Sequence, residues 1–439
     1  MTSRLMTIWR RALASLLVLG MATSALVAWL NVRGEAPMHI GRAPTGAAQA
    51  GDAAQIARGA YLAKAGNCSA CHTARGGAEM AGGLPMATPF GTLYTSNLTP
   101  DRTTGLGDWS ADEFWRALHH GRSKSGRLLY PAFPYPNYTH VTREDSDALY
   151  AYLQSLPPIE RANTPHALRF PYKLQAALAV WRALYFRPVD VAAAPIGERT
   201  ASTSPAWQRG RYLVQGLGHC SACHAQRNAL GAISDDVELG GGLIPMQDWY
   251  APSLAARNEA SVADWPTAEV VALLRTGVAP KGSVLGPMAE VVYRGTQYLR
   301  QDDLEAIALY LKSLPQVSPR PRTEVVGASA ETLQLGKDVY ARQCADCHGA
   351  QGQGVPHMYP PLAGNRAVTL AGAHNVLKVI LHGGFAPATA GNPRPFGMPP
   401  FGPSLQDEEI AAVATFIRQS WGHQASAVST VDVNRARSY

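Results

Sequence analysis

The sequence predicts an all-α chain of three small helical domains in tandem, behind an N-terminal apolar segment that serves as a transmembrane anchor or a signal. Three observations carry this expectation. The motif C-x-x-C-H occurs three times, as Cys68-Ser-Ala-Cys71-His72, Cys220-Ser-Ala-Cys223-His224 and Cys344-Ala-Asp-Cys347-His348, with no cysteine elsewhere. A helix with a glycine eight to ten residues before the first cysteine precedes each motif, and an amphipathic helix closes each unit. Finally, Arg4, Arg10 and Arg11 stand before nineteen uncharged residues, Ala12 to Leu30.

Residues 1–33 read either as a signal peptide cut near Ser24 or Ala25, or as a retained span with Trp29 at the outer interface. Both readings export the remainder of the chain. Residues 34–52, rich in Ala, Gly and Pro, form a tether. The first domain, 53–165, opens on ARGAYLAKAGNC from Ala57 and closes on DALYAYLQSLP from Asp147. A linker, 166–199, contains LRFPYKLQAALAVWRALYFR over 168–187, which is aromatic, basic and helix-periodic. It packs on a neighbouring domain or lies in a membrane interface, with Trp181, Tyr185 and Phe186 in lipid and Lys173, Arg182 and Arg187 near head groups. The second domain, 200–318, runs from QRGRYLVQGLGHC to EAIALYLKSLP, and the third, 328–422, from QLGKDVYARQC to AAVATFIRQSWG. The tail, 423–439, has no hydrophobic pattern and is expected to be mobile or ordered by a partner.

C-x-x-C-H is the attachment pattern of c-type haem, in which two thiols form thioethers to the porphyrin and the adjacent histidine ligates iron. Zinc would gather four soft ligands in one place, and a redox dithiol leaves the histidine unexplained. The chain is therefore expected to carry three covalent haem c groups on Cys68, Cys71, Cys220, Cys223, Cys344 and Cys347, with His72, His224 and His348 on the irons. Methionine on the opposite face raises the potential, and it should come from the loop before each closing helix. Met288 in GPMAEVVYRG and Met398 in FGMPPFGPSLQDEE meet that requirement, whereas Met246 and Met358 come too early and suit a core role. The first domain offers Phe133 instead, which cannot bind iron. Its sixth ligand is Met86, His119, His120 or His140, or the position is open.

The formal charge of +7 and pI near 9.1 include the three N-terminal arginines and omit about six haem propionates, so nucleic-acid binding has no support. No flavin, pyrroloquinoline or molybdenum signature, dinucleotide fingerprint or nucleophile–base constellation is present.

The order of helix, motif, loop and helix is similar to class I cytochromes c. GGLPMATPFGTLYTSNLTPD from Gly82, the LYPAFPYP loop and ELGGGLIPMQDWYAPSL from Glu238 further resemble the triheme cytochrome c subunits of periplasmic membrane-bound dehydrogenases. Phe133 and AWLNVRGEAP make the chain more similar to the cytochromes that accompany molybdenum hydroxylases oxidising aldehydes or heteroaromatics. The resemblance implies a molybdopterin catalytic subunit and a small iron–sulfur subunit as partners, ubiquinone as acceptor, and a place on the periplasmic side of the bacterial inner membrane. Alternative readings are the cytochrome subunit of a quinoprotein alcohol dehydrogenase or of a flavin gluconate-type dehydrogenase, a haem enzyme or sensor using an open first iron, and a soluble carrier.

Overall fold

The computed structural model describes residues 2–35, 52–189, 204–234, 237–317 and 325–438. Most of the expected tether (36–51), the end of the linker (190–203) and the passage from the second unit to the third (318–324) lie outside the described residues.

Three crossed helix pairs organise the rest. Ala53–Ala65 packs on Arg143–Ser155, Pro205–Tyr212 on Gln301–Ser313, and Ala330–Gln343 on Asp407–Gln419. The opening helices start where side-chain oxygens accept from otherwise orphaned amides: Asp52 from Gln55, Ser204 from Trp207 and Ser329 from Thr332. Each crossing closes on the glycine of the opening helix. A Cβ on Gly59 would fall on the carbonyl of Ala148, one on Gly210 on that of Ala306, and one on Gly336 on that of Ala412. Only glycine lets the two backbones approach so closely. Four residues beyond each alanine, Tyr152, Tyr310 and Phe416 pack over the same glycine.

The spacing from glycine to cysteine is longest in the second unit, and the surplus residue is absorbed as a π-helical turn over Leu213–Leu217. Each pair buries its own apolar cluster. Leu62, Val141, Leu149 and Leu153 centre the first, Leu213, Val270, Leu304 and Leu311 the second, and Val339, Ile380, Ile410 and Val413 the third. Full burial of such a side chain contributes roughly 1.5–3 kcal/mol.

Helices dominate, but the chain is not purely α. Pro85–Thr88, Gly91–Tyr94 and Ala167–Leu168 form a three-stranded antiparallel sheet, with Pro85 opposite Tyr94 and Gly91 opposite Leu168. Two-stranded ladders join Gly242–Ile244 to Trp249–Ala251 and Gly384–Phe385 to Gly397–Met398. These ladders pair the backbone polar groups of the long loops, and most are too short for an alternating pattern to be seen in sequence.

Thr2–Val32 is one helix, and its stretch Met6–Val32 is long and apolar enough to cross a membrane. Its last turn is seated on the first unit and on the linker that follows it. Asn31 donates from Nδ2 to the Ala179 carbonyl (2.8 Å) and accepts from Arg182 Nε (3.0 Å), and Arg122 pairs with Glu35 and donates to the Asn31 carbonyl. The linker forms the helix Gln175–Tyr185, and here two expectations are corrected. Arg182 faces inward, 3% exposed between the rings of Tyr135 and Phe186, so neither it nor Phe186 reaches a head-group or lipid region. The tail is also ordered: Thr430–Arg437 is a capped helix whose Val433 and Ala436 enter the third core while Arg437 pairs with Asp407. With two buried residues in eight, its apolar stripe is too thin to register as periodicity.

Candidate functional site

Each C-x-x-C-H motif lies at the end of an opening helix and turns into a short helix of its own: Cys68–His72, Ser221–His224 and Ala345–His348. In all three the histidine Nδ1 meets a backbone carbonyl. His72 bonds to Ser96 (2.7 Å), His224 to Pro252 (2.7 Å) and His348 to Pro360 (3.0 Å). A carbonyl only accepts, so the proton is on Nδ1 and Nε2 keeps its lone pair for a metal. Desolvation lowers the pKa of each imidazole against the opposing carbonyl bond, which favours the neutral, ligating form.

These orienting carbonyls escape sequence reading because any residue type can supply one. A signal was present nonetheless. Ser96-Asn97-Leu98, Pro252-Ser253-Leu254 and Pro360-Pro361-Leu362 each place a leucine two residues beyond the carbonyl, the same offset three times.

The leading thiols are held neutral. Burial, with the second thiol adding to it, pushes the pKa of each of Cys68, Cys220 and Cys344 up to about 12. All six cysteines are free thiols, and among the described residues no three His, Cys, Asp or Glu side chains converge as a bare-ion site. Each histidine instead stands with its own thiol pair.

A cavity of about 3070 Å³ is lined by Cys68, Cys71 and His72, passes Met86, Phe133 and Tyr138, and continues to Cys223 and Trp249. Drug-sized sites span about 300–1,000 Å³, so this space exceeds one ligand. Its largely apolar wall, with the thiols of Cys68, Cys71 and Cys223 and the preset imidazole of His72, fits an apolar macrocycle that thioethers and a histidine nitrogen would hold.

Of the four donors considered for the first unit, Met86 and His140 line this cavity. His119 and His120 do not. Both are buried in the last turn of the helix Ala111–His120, His119 stacked on Trp115 at 4.4 Å and His120 edge-on to His119 at 4.7 Å. Met288 sits in the first turn of Pro287–Arg294; the helix supplies Pro287, Val291 and Arg294 to the cavity wall, and Met288 itself does not line it. Met398 ends a short strand and packs on the third core together with Cys344 and Phe401.

Comparison with known proteins agrees with this geometry. A family profile described as cytochrome c matches residues 56–157 and 333–421. The chain is 40% identical over 403 residues to the cytochrome c subunit of a quinone alcohol dehydrogenase from Gluconacetobacter polyoxogenes, covering 88% of this chain and 85% of the relative. It is 40% identical over 397 residues to the gluconate 2-dehydrogenase cytochrome c subunit of Pantoea cypripedii, covering 87% and 89%. It is also 33% identical over 448 residues to the fructose dehydrogenase cytochrome subunit of Gluconobacter japonicus, covering 95% of this chain and 88% of the relative.

Proposed function

This chain belongs to the cytochrome c subunits of alcohol, gluconate and fructose dehydrogenases, a family defined by covalently bound haem c and electron transfer, and on that premise we propose that it is a three-haem conductor between a catalytic dehydrogenase subunit and membrane ubiquinone. One observation carries the count of three: the same assembly of glycine crossing, thiol pair and carbonyl-bound histidine recurs at His72, His224 and His348, each on its own core. Haem c supplies a one-electron iron couple when bound. Cys68 and Cys71, Cys220 and Cys223, and Cys344 and Cys347 would anchor it, and Met288 and Met398 would supply thioether donors in the second and third units.

The partner favoured by Phe133 is a molybdopterin aldehyde-oxidising subunit with a small iron–sulfur subunit. The identity to the alcohol and gluconate relatives supports a second reading, in which the partner is a quinoprotein or flavin dehydrogenase. Solubilisation in mild detergent and identification of the co-purifying chains decides between them. Isolation without any dehydrogenase subunit under these conditions would overturn both.

Reduction of ubiquinone takes two electrons and two protons, and its apolar tail requires access from lipid. Trp181, Leu184 and Tyr185 of the linker helix line the large cavity, while Val180 and Leu184 are 47% and 57% exposed on the helix that seats the N-terminal span through Asn31. That placement supports a quinone entry beside Trp181, on the periplasmic face of the inner membrane with Thr2–Val32 as anchor. The Trp181→Glu variant should lose ubiquinone reduction while its haems are still reduced by substrate. Normal quinone reduction in that variant would leave the helix as a packing element.

A further inference from the structure

The first and second units are joined by two salt-bridged carboxylates, each capped by a tyrosine from the other unit. Asp303, on the closing helix of the second unit, accepts from Arg209 of its own opening helix (Nε 2.7 Å, Nη2 2.9 Å) and from the Tyr61 hydroxyl of the first unit (2.6 Å). Asp145, on the closing helix of the first unit, accepts from Arg58 of its own opening helix (2.7 Å) and from the Tyr212 hydroxyl of the second unit (2.6 Å). The side chains of Asp145 and Asp303 are 2% and 3% exposed. Buried carboxylates of this kind are costly unless every partner is in place.

The registers match. Each arginine precedes the crossing glycine by one residue, each tyrosine follows it by two, and each aspartate precedes the alanine beneath the glycine by three. The arrangement is therefore a pseudo-two-fold, self-complementary interface inside one chain, the relation that a symmetric dimer makes between two copies. The third unit lacks it. Its equivalent positions are Leu335, Asp338 and Glu409, and it docks on the second unit through other residues, Arg366 with Asp264 and Asn375 with Tyr250.

The same interface brings the first two attachment segments together. His219, just before Cys220, reaches the Gly66 carbonyl at 3.3 Å and lies edge-on to Tyr138 at 5.8 Å. Asn137 donates to Ser221 Oγ at 2.8 Å, and Pro287–Arg294 packs against Cys68–His72. The cavity runs unbroken from Cys71 to Cys223.

We propose that Tyr61 and Tyr212 are positioning residues: with Asp303 and Asp145 they lock the first two units into one two-haem module of fixed spacing, to which the third unit is appended as a separate relay. This rests on the three-haem reading above. Neither tyrosine need touch a cofactor, since each acts through the helix that carries the attachment cysteines.

The test uses the full chain, with a denatured haem count and circular dichroism in the Soret band, where two haems held close at a fixed angle give a couplet of opposite signs. The couplet should survive Cys344→Ala with Cys347→Ala, which removes the third haem. It should fall at least twofold in Tyr61→Phe with Tyr212→Phe, with the count unchanged at three. The single Tyr61→Phe and Tyr212→Phe variants should each give an intermediate amplitude, which keeps the test decisive where the double variant folds poorly. Gly336→Ala, which perturbs the third unit alone, should leave the couplet unaltered. An unaltered couplet in all three tyrosine variants, or one lost with the third haem, would overturn the proposal. A wild-type count below three would instead refute the three-haem reading, so the two failures are distinguishable.

Discussion

Replacing Gly210 with alanine should destabilise the second unit by about 2 kcal/mol, the net of two opposing effects. Gly210 lies inside Pro205–Tyr212, where alanine is the better helix former by roughly 0.8–1.0 kcal/mol. Against that gain, the new methyl falls on the carbonyl oxygen and carbon of Ala306 with Tyr310 Cβ behind them, so no side-chain rotation relieves the overlap. The helices must part, and overpacking of this kind costs typically about 1–3 kcal/mol, occasionally more, with backbone neighbours at the upper end. The Arg209–Asp303–Tyr61 cluster, one turn along, would be stretched as well. Taking about 3 kcal/mol for the clash leaves the net of about 2, or a fall of roughly 6–12 °C in the midpoint of a domain of this size, between the small and the mid-sized classes. Thermal unfolding should be followed through the Soret absorbance of the haems, with Gly59→Ala and Gly336→Ala as parallel variants. A midpoint raised or unchanged in all three would refute the claim that these glycines are set by backbone contact.

Met288→Leu and Met398→Leu should each remove one contribution to the near-infrared sulfur-to-iron band and lower the potential of one haem, read by potentiometric titration; unchanged spectra in both would remove them as ligands. His119→Gln and His120→Gln should leave every haem spectrum as in the wild type, because both rings lie outside the cavity wall; loss of a low-spin signal in either would reinstate it. The link between the first two units should hold across a bounded pH range. Burial raises the Asp303 pKa, but hydrogen bonds from Arg209 and Tyr61 more than offset this and leave it depressed, so its contribution is present above the unfolded value of about 3.9 and is lost as pH falls through the folded one. Tyr61 runs the other way: burial and the Asp303 bond push it up to about 12, so its contribution is present below about pH 10 and is lost as pH rises through the folded value. The Soret couplet measured against pH should fall on both the acid and the alkaline side, and a couplet that persists unchanged well above about pH 12 would contradict the assignment.

The attachment motif was legible in the sequence because it is local. The cysteines and histidine proposed to take one haem occupy five consecutive residues, and the crossing glycines stand at a near-fixed offset from them. The apolar face of Arg143–Ser155 was readable from its spacing alone. What escaped was set by tertiary partners. Arg182 looked like a head-group cation because its neighbours in sequence are aromatic, yet Asn31, 151 residues away, takes its guanidinium into the interior. Tyr61 and Asp303 are separated by 242 positions, and no periodicity links residues so far apart. The single residue added before Cys220 was visible as a count, but that it becomes a π-helical turn depends on packing. The short ladders of the loops, such as Gly384–Phe385 with Gly397–Met398, lie below the length at which alternation carries information.

The central claim, three covalent haems on three equivalent sites, is tested most directly by denaturing the purified chain in alkaline pyridine and measuring haem c per polypeptide. Three are expected in the wild type, and two in each of Cys68→Ala with Cys71→Ala, Cys220→Ala with Cys223→Ala, and Cys344→Ala with Cys347→Ala. Two or fewer haems in the wild type, or a paired-cysteine variant that keeps all three, would contradict it.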